Sequence, residues 1–292
     1  MTAIDGVLSA LISLPGLFLI ALLCSAVLST VFRKKDQLGK LARSNIATSF
    51  IIAMLNVAVW ALFAQQISVW VQGRYDALNI PTLDPQIWLH VPVWLGMLVT
   101  VLAADFVDYW SHRLMHTRLG WLTHAAHHTD THVNAFTNFR IHVLETIVML
   151  ASYTLMLTWM QLPELIPVVI LATRVLGFYV HLDVDIHHGP FRYLLSSPRF
   201  HRWHHADVPE AYGKNLANIF PFYDLMFGTY YVPGRCTAPM GAQSAGIDGI
   251  SPLKIYAFPF VEAAKMAKAL ARRLTGLRPK NLPPQQDKSQ QA

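Results

Sequence analysis

The sequence contains little charge and almost no cysteine. Only 14% of the 292 residues are charged, 53% are hydrophobic, and the mean hydropathy is +0.35. Since about 25% of the residues of an ordinary soluble domain are charged, this composition favours an integral membrane protein. The two cysteines, Cys24 and Cys236, lie far apart and outside any CxxC arrangement, which argues against a disulfide framework and a thiolate metal site.

Several motifs that mark cofactors or catalytic bases are also absent. The sequence has no strand-bounded GxGxxG motif for a dinucleotide, no CxxCH motif for haem and no cysteine set for an iron–sulfur cluster. It lacks HExxH and HxxEH, the motifs in which zinc hydrolases carry a general base beside their ligands. The net charge of +6 arises next to apolar stretches, so we expect the basic residues to face anionic lipid rather than nucleic acid.

Long apolar stretches organise the first two-thirds of the chain. Three of them contain no Asp, Glu, Lys or Arg and reach the roughly 20 residues that a membrane helix needs: 6–32, 44–73 and 85–104. A fourth, 146–180, is interrupted by Glu164 and contains Arg174. It predicts two shorter helices that meet at "QLPEL" and either cross the membrane or dip into it and return.

The charge of the loops predicts the orientation. Residues 33–43 contain five Lys or Arg, whereas residues 74–84 contain one. Because short cytoplasmic loops are rich in Lys and Arg, we place the first loop in the cytoplasm and the second outside. All histidines from His112 onward then lie on the cytoplasmic face. We therefore expect a multi-pass membrane protein, in a bacterial inner membrane rather than in the endoplasmic reticulum.

Histidine is the residue that the sequence concentrates. Thirteen of the 14 histidines lie between residues 112 and 205. Most of them fall in four motifs: "HRLMH" at 112–116, "HAAHH" at 124–128, "HLDVDIHH" at 181–188 and "HRWHH" at 201–205. On a helix, HxxxH places two rings one turn apart on one face, and HxxHH does the same with its first and last histidines. The middle histidine of HxxHH is close enough to reach a neighbouring ion.

This clustering predicts a site with more than one metal ion. Imidazole is a borderline ligand that suits iron, zinc, copper or nickel, so the ligand type leaves the metal open. Eight or more histidines exceed the four positions of a tetrahedral zinc site and favour two ions of higher coordination number. His90, His132 and His142 stand outside these spacings. For them we expect hydrogen-bonding roles at the surface or behind the ligands.

Two charged residues near these motifs need partners. Asp108 precedes His112 by four residues, so its carboxylate is predicted to accept the ring N–H of that histidine. Arg174 lies inside an apolar helix, where an arginine is costly unless it is paired. We expect Arg174 to form a structural ion pair with Glu164 or with a carboxylate of the cytosolic cap that holds the histidines. The alternative partner is a lipid head group.

The motifs resemble a known family over residues 95–233. This is the fatty acid hydroxylase and sterol desaturase superfamily, and the similar segments are "DYWSHRLMH", "HAAHHTDTHVNAFTNFRIHVLE", "SSPRFHRWHH" and "KNLANIFPFYDLMFGTY". The resemblance implies an all-α integral membrane protein in which four to five transmembrane helices carry a cytosolic helical cap with a histidine-rich dinuclear metal site. It also implies two iron ions, which zinc can replace on purification, and O2-dependent hydroxylation or desaturation of a sterol, fatty acyl or other lipid. The electrons would come from a separate ferredoxin or b-type cytochrome with its reductase.

The resemblance also assigns site residues by position. The metal ligands it implies are His112, His116, His124, His127, His128, His181, His201, His204 and His205. From the same motifs we expect catalytic roles for Asp108, Tyr109, Asn134 and Asp224. The third motif departs from the family pattern, because Asp183 stands two residues after His181 where many relatives have Asn. His187 and His188 stay alternative ligands, although they precede a turn at "GP" whereas His181 ends a helix.

Four regions are predicted, and two other function classes stay open. We expect N-terminal transmembrane helices over 1–94, the catalytic domain over 95–233, a peripheral amphipathic segment over 234–278 and a disordered tail over 279–292. The amphipathic segment either lies on anionic lipid or packs on the cap. The alternative functions are a membrane zinc hydrolase and a metal transporter or sensor. A transporter, however, would need polar ligands near the middle of the membrane.

Overall fold

The computed structural model describes residues 40–247, 249 and 251–275. The predicted span 6–32 and the predicted tail 279–292 lie outside the described residues. The described residues form α-helices and short 3-10 turns, with no strand among them. The prediction of an all-α chain is therefore confirmed for this part of the protein.

The helices form a bundle in which the helix over residues 143–159 packs between two longer ones. In chain order the α-helices are α1 (Lys40–Ala77), α2 (Ile87–His90), α3 (Val93–Met115), α4 (Trp121–His128), α5 (Val143–Trp159), α6 (Ile166–Val180), α7 (Pro198–His204), α8 (Phe222–Met226) and α9 (Pro252–Thr275). The 3-10 turns are Ala135–Phe139, Pro163–Leu165, Gly189–Tyr193, Pro209–Ala211 and Gln243–Ala245. Helix α5 packs against both α1 and α3, while α6 packs against the first 3-10 turn and α7.

The predicted span 85–104 is wrong in its bounds. Helix α2 ends at His90, and Pro92, with a ψ of 137°, separates it from α3. Proline has no N–H to donate and disfavours a helical conformation in the preceding residue, so a new helix begins after it. The apolar helix is therefore α3, which extends past the predicted end and carries both Asp108 and His112.

One helix of the described part, α3, is both long and apolar enough to cross a membrane. Helix α5 and most of α6 are apolar but shorter. The 3-10 turn Pro163–Leu165 joins them, which confirms the prediction of two shorter helices that meet at "QLPEL". The predicted span 44–73 lies within α1, a helix of 38 residues.

An apolar cluster holds α3 against the hairpin of α5 and α6. Its buried members are Ala104, Tyr153, Leu157, Met160 and Val169. Leu157 is 0% exposed, and the full burial of a leucine side chain contributes about 2 kcal/mol. Trp88 covers the end of the hairpin by donating its indole N–H to the carbonyl of Met160 at 2.8 Å. This packing fixes α3 relative to the turn that joins α5 and α6.

Arg140 lies near the end of α4, and its side chain is 0% exposed. It forms hydrogen bonds with three separate parts of the chain. Its guanidinium donates to Thr129 Oγ1 at 3.0 Å, to the carbonyl of Gly249 at 2.8 Å and to the carbonyl of Asn45 at 3.1 Å. A buried cation is tolerated only when its donors are satisfied, and these partners satisfy them. The network therefore fixes the end of α4 against α1 and against the segment that leads into α9.

Helix α9 packs on α1 and α4 through its first turns. Ile255 is buried and contacts Ile52 of α1 and Ala126 of α4. Farther along the helix, Leu270 and Leu274 are exposed. The first turns of the amphipathic segment thus pack against other helices, whereas apolar side chains near its end are exposed.

We predict that Arg140→Met lowers the free energy of unfolding by about 3 kcal/mol, because it leaves buried acceptors without their donor. Thermal unfolding of the detergent-purified protein measures this change. Arg118→Met, at an exposed position, is the matched control and is expected to change stability by less than about 0.5 kcal/mol. Equal unfolding temperatures for the two variants would contradict the role of Arg140.

Candidate metal centre

Nine histidines come together in two adjacent clusters. Within each cluster, one ring nitrogen of every residue lies within 4.8 Å of all the others. The five-histidine cluster consists of His112, His116, His124, His128 and His204, and the four-histidine cluster consists of His127, His181, His201 and His205. The clusters adjoin each other, since the ring centroids of His128 and His205 are 4.6 Å apart. The structure therefore brings together all nine histidines that were predicted as ligands.

The two HxxHH motifs divide their rings between the clusters. In α4, the first and last histidines of the motif enter the five-histidine cluster and His127 enters the other. Helix α7 and its C-cap reverse this arrangement, because only His204 enters the five-histidine cluster. The split follows from helical geometry, in which residues four apart share a face and the residue between them points to its side.

The other three histidines lie at helix ends. His112 occupies the last turn of α3, and His116 is its C-cap. His181 is the C-cap of α6. A C-cap residue is anchored by the helix before it, so these rings are directed by rigid elements rather than by loops.

The spacing of the ring nitrogens fits metal coordination. The Nε2–Nε2 distances are 3.0 Å for His112 and His124, 3.1 Å for His124 and His128, 2.9 Å for His181 and His201, and 3.1 Å for His201 and His205. Two nitrogens bound to one ion at about 2.1 Å lie about 3.0 Å apart at right angles and about 3.4 Å apart in a tetrahedron. The observed distances match neighbouring positions of the higher coordination number.

Hydrogen bonds behind the rings direct their lone pairs toward the cluster centres. The Nδ1–H groups of His112, His204 and His181 donate to the carbonyls of Leu216 at 2.7 Å, Lys214 at 2.9 Å and Gly177 at 2.6 Å. Each Nε2 is then left with a lone pair and no proton. Two such nitrogens cannot hydrogen-bond to each other, so a cation between them is the partner that their chemistry calls for.

Several buried ring nitrogens have no hydrogen-bond partner in the described part of the chain. They include Nε2 of His116 and of His204 in the five-histidine cluster, and Nδ1 of His127 and of His205 in the four-histidine cluster. A buried polar atom without a partner costs about 1–3 kcal/mol, so it is rare unless an ion or water completes it. The residues present thus fit a bound metal ion.

Burial favours the neutral form of His124, His127, His181 and His205. It lowers the pKa of His181 to about 4 and lowers the pKa of His124, His127 and His205 well below the ordinary value. The neighbouring imidazoles lower the pKa of the last three further, since a second positive ring nearby would repel the first. Neutral imidazole is the form that binds metal, so these rings are ready to act as ligands near pH 7.

One ligand position has a carboxylate behind it instead of a carbonyl. Oε1 of Glu145 lies 3.0 Å from Nδ1 of His124, and both side chains are buried. The sequence reasoning did not assign a role to Glu145. A signal was nevertheless present, because Glu145 is the one acidic residue in the apolar helix α5.

Asp108 does not make the predicted contact with His112. The ring N–H of that histidine donates to Leu216 instead, and Asp108 Oδ1 accepts from the hydroxyl of Tyr153 at 2.8 Å. The reason is that the side chain of Asp108 points from α3 toward α5, whereas the ring of His112 points toward the loop that contains Leu216. Asp108 still borders the cavity beside the histidines.

Asp224 supports the loop from which His112 obtains its acceptor. Its carboxylate accepts from the backbone N–H of Leu216 at 2.7 Å, from that of Ala217 at 2.9 Å and from Thr229 Oγ1 at 2.6 Å. The hydroxyl of Tyr109 bonds to the same Thr229 at 2.8 Å. Asp224 therefore holds this loop directly, whereas Tyr109 bonds to Thr229, which is itself hydrogen-bonded to Asp224.

Asn134, the remaining predicted catalytic residue, caps the 3-10 turn Ala135–Phe139. Its side-chain oxygen accepts from the N–H of Phe136 at 2.9 Å, and its backbone N–H donates to Thr137 Oγ1 at 3.0 Å. This reciprocal pattern is a capping box, which satisfies the free N–H groups at the start of the turn.

The alternative ligands of the third motif lie outside both clusters. His188 contacts the hydroxyl of Tyr179 and, at 2.9 Å, the carbonyl of Leu195. Asp183, which departs from the family pattern, pairs with Arg202 at 3.0 Å. The geometry therefore favours His181 over His187 and His188 as the ligand.

His142 and Arg174 form hydrogen bonds with the backbone. His142 caps α5 by accepting from the N–H of Leu144 and donates its other ring N–H to the carbonyl of Tyr256 at 3.2 Å. Arg174 donates to the carbonyl of Asn138 at 3.4 Å.

Two cavities reach the histidines. A cavity of about 60 Å³ is bordered by members of both clusters together with Asp108, Glu145, Arg174 and the apolar side chains Met115 and Met149. A second cavity, of about 390 Å³, is bordered by three members of the five-histidine cluster and by a polar group around Asp207. The small cavity is thus the one that adjoins both clusters.

Comparison with known proteins shows what the region around the two clusters is similar to. Residues 97–229 match the fatty acid hydroxylase family. An ornithine lipid hydroxylase of Rhizobium tropici is 30% identical over 148 residues, covering 49% of this chain and 44% of the relative. Human alkylglycerol monooxygenase is 28% identical over 168 residues, covering 56% and 34%. A Delta(7)-sterol 5(6)-desaturase of Gibberella zeae is 31% identical over 174 residues, covering 56% and 44%.

The matched region spans less than half the length of each of these relatives. No solved structure matches the chain with comparable significance. The family match covers helices α3 to α8, and with them every histidine of both clusters. Over this region the chain is similar to members of the fatty acid hydroxylase and sterol desaturase superfamily.

Proposed function

We propose that this protein is a membrane di-iron oxygenase that uses O2 to hydroxylate or desaturate a lipid. The observation that carries the proposal is the pair of adjacent histidine clusters, with five and four ring nitrogens, that share one small cavity. Two ions that adjoin one cavity are suited to a reaction that needs several electrons at one place. When bound there, iron supplies the redox chemistry that activates O2 and breaks an unactivated C–H bond.

The ligand set favours an iron centre over the zinc centre of a hydrolase. The five-histidine cluster exceeds the four ligands of a tetrahedral zinc site, and the nitrogen spacing is shorter than a tetrahedron gives. A hydrolase also needs a general base beside an open ligand position. The carboxylate nearest the ligands, Glu145, already has one oxygen against His124.

The chain's own residues prepare the reaction site. Met115, Ile141 and Met149 give the small cavity an apolar wall on the side of α3 and α5. We propose that the lipid C–H bond enters along this wall, while Asp108 and Arg174 orient polar groups and water at the rim. Burial of the histidines keeps bulk water away from the centre.

The membrane arrangement extends this proposal beyond the described residues. We propose four to five transmembrane helices over residues 1–180, with α3 crossing fully and the α5–α6 hairpin returning the chain to the cytoplasmic face. The catalytic domain is then 95–233, and 234–278 is the peripheral segment that begins to pack through α9. The location is a membrane whose cytoplasmic side holds the metal centre.

Electrons must come from another protein, because the sequence lacks a dinucleotide, haem or iron–sulfur motif. We propose a ferredoxin or a b-type cytochrome with its reductase as the donor. The names of the relatives suggest three substrate classes to test: amino-acid-containing lipids, glycerol ether lipids and sterols.

Expression of the chain in a host that lacks it is expected to add one oxygen atom to a lipid, or to remove two hydrogen atoms from it. Mass spectrometry of total lipids, with the His124→Ala variant as the control, measures this change. Growth in ¹⁸O2 should label a hydroxylated product. A lipid profile identical to that of the control, in a host with a suitable donor, would refute the proposed oxidation.

We predict that His181→Ala abolishes oxidation and lowers the iron content, because its ring is central to the four-histidine cluster. His187→Ala and His188→Ala are the matched controls, and each should retain both metals and substantial activity. Iron analysis and lipid mass spectrometry on the three purified variants decide this. Loss of iron in His188→Ala with retention in His181→Ala would show that the third ligand is misassigned.

A further inference from the structure

We infer that Glu145 is a positioning residue for His124 that makes the five-histidine cluster the tighter of the two metal sites. This inference rests on the metal centre of the proposed function. Oε1 of Glu145 lies 3.0 Å from Nδ1 of His124. His124 in turn sits centrally in its cluster, because its Nε2 is 3.0 Å from that of His112 and 3.1 Å from that of His128.

The partner of His124 differs from those of the other ligands. His112, His181 and His204 are backed by neutral backbone carbonyls. In the described part of the chain, Glu145 brings a carboxyl oxygen to 3.0 Å from the ring of His124, whereas no carboxylate makes such a contact with a ring of the four-histidine cluster. A carboxylate accepts the N–H more strongly than a carbonyl does, and this raises the electron density at the opposite ring nitrogen.

The placement of Glu145 is costly without such a role. Its side chain is 3% exposed in an apolar helix, and its second oxygen has no hydrogen-bond partner in the described residues. Its position in the first turn of α5 offsets only part of that cost, since a helix N-terminus stabilises a negative charge by about 1 kcal/mol. A cation held by His124 would supply the remaining compensation through the ring.

The two clusters are therefore unequal. The five-histidine cluster combines an additional ligand with a carboxylate-backed ring, whereas the four-histidine cluster has neither. We expect the first ion to bind to the five-histidine cluster and the second to the four-histidine cluster. Outer partners of this kind change metal affinity by about 10- to 100-fold when they are removed.

Anaerobic titration of the metal-free full-length protein with Co²⁺ tests this order without any lipid or electron donor. The wild type should bind two Co²⁺ per chain with resolved affinities. Glu145→Gln keeps the shape of the side chain but removes its charge, so it should weaken the tighter site by about 10- to 100-fold and leave the weaker site unchanged. Glu145→Ala should do the same or more. The surface variant Glu262→Gln, whose carboxylate pairs with Lys265 on α9, is the control and should titrate like the wild type.

The outcomes separate this inference from the proposed function. A wild type that binds fewer than two Co²⁺ contradicts the dinuclear centre itself. A wild type that binds two ions, with Glu145→Gln binding them at the same affinities, overturns the inference alone. Equal weakening of both sites by Glu145→Gln also overturns it, because Glu145 would then support the whole bundle rather than one cluster.

Discussion

The structure depends on holding nine neutral imidazoles together, seven of them buried and two partly buried, with their lone pairs facing one another. Each unpartnered buried nitrogen costs about 1–3 kcal/mol, and such nitrogens lie in both clusters, so their summed cost is comparable with the whole stability of a domain. Protonation offers no relief, because burial and the neighbouring rings oppose a positive charge on any one of them. Metal ions in the proposed centre would satisfy these lone pairs at once, so we expect folding and metal binding to be coupled in this protein.

The rest of the described fold supplies the outer supports that this arrangement needs. Backbone carbonyls from the loop that contains Lys214 and Leu216, and from α6, accept three ring N–H groups, so this loop must itself be fixed. Asp224 fixes it by accepting two backbone N–H groups, and Arg140 ties the end of α4 to α1. The centre thus depends on contacts between parts of the chain that are far apart in sequence. This dependence explains why many of the buried side chains are polar.

The local features of this protein could be predicted from sequence, and the long-range ones could not. The HxxHH spacing predicted how each motif divides its rings, and "QLPEL" predicted the break between α5 and α6, because both depend on residues within one or two helical turns. The acceptor of His112 lies 104 residues away, and no local rule connects them. For the same reason Asp108 was assigned to the nearest histidine, although α3 turns it toward Tyr153, and Glu145 was missed. The start of α3 was misplaced because hydropathy does not register the break that Pro92 imposes.

The central claim is that one chain holds two metal ions in the two histidine clusters. Iron reconstitution of the purified, metal-free protein, followed by metal analysis and Mössbauer spectroscopy, tests it most directly. The account predicts two irons per chain at saturation, coupled within one centre and required for lipid oxidation. Saturation at one iron per chain, or full activity with zinc alone, would contradict it.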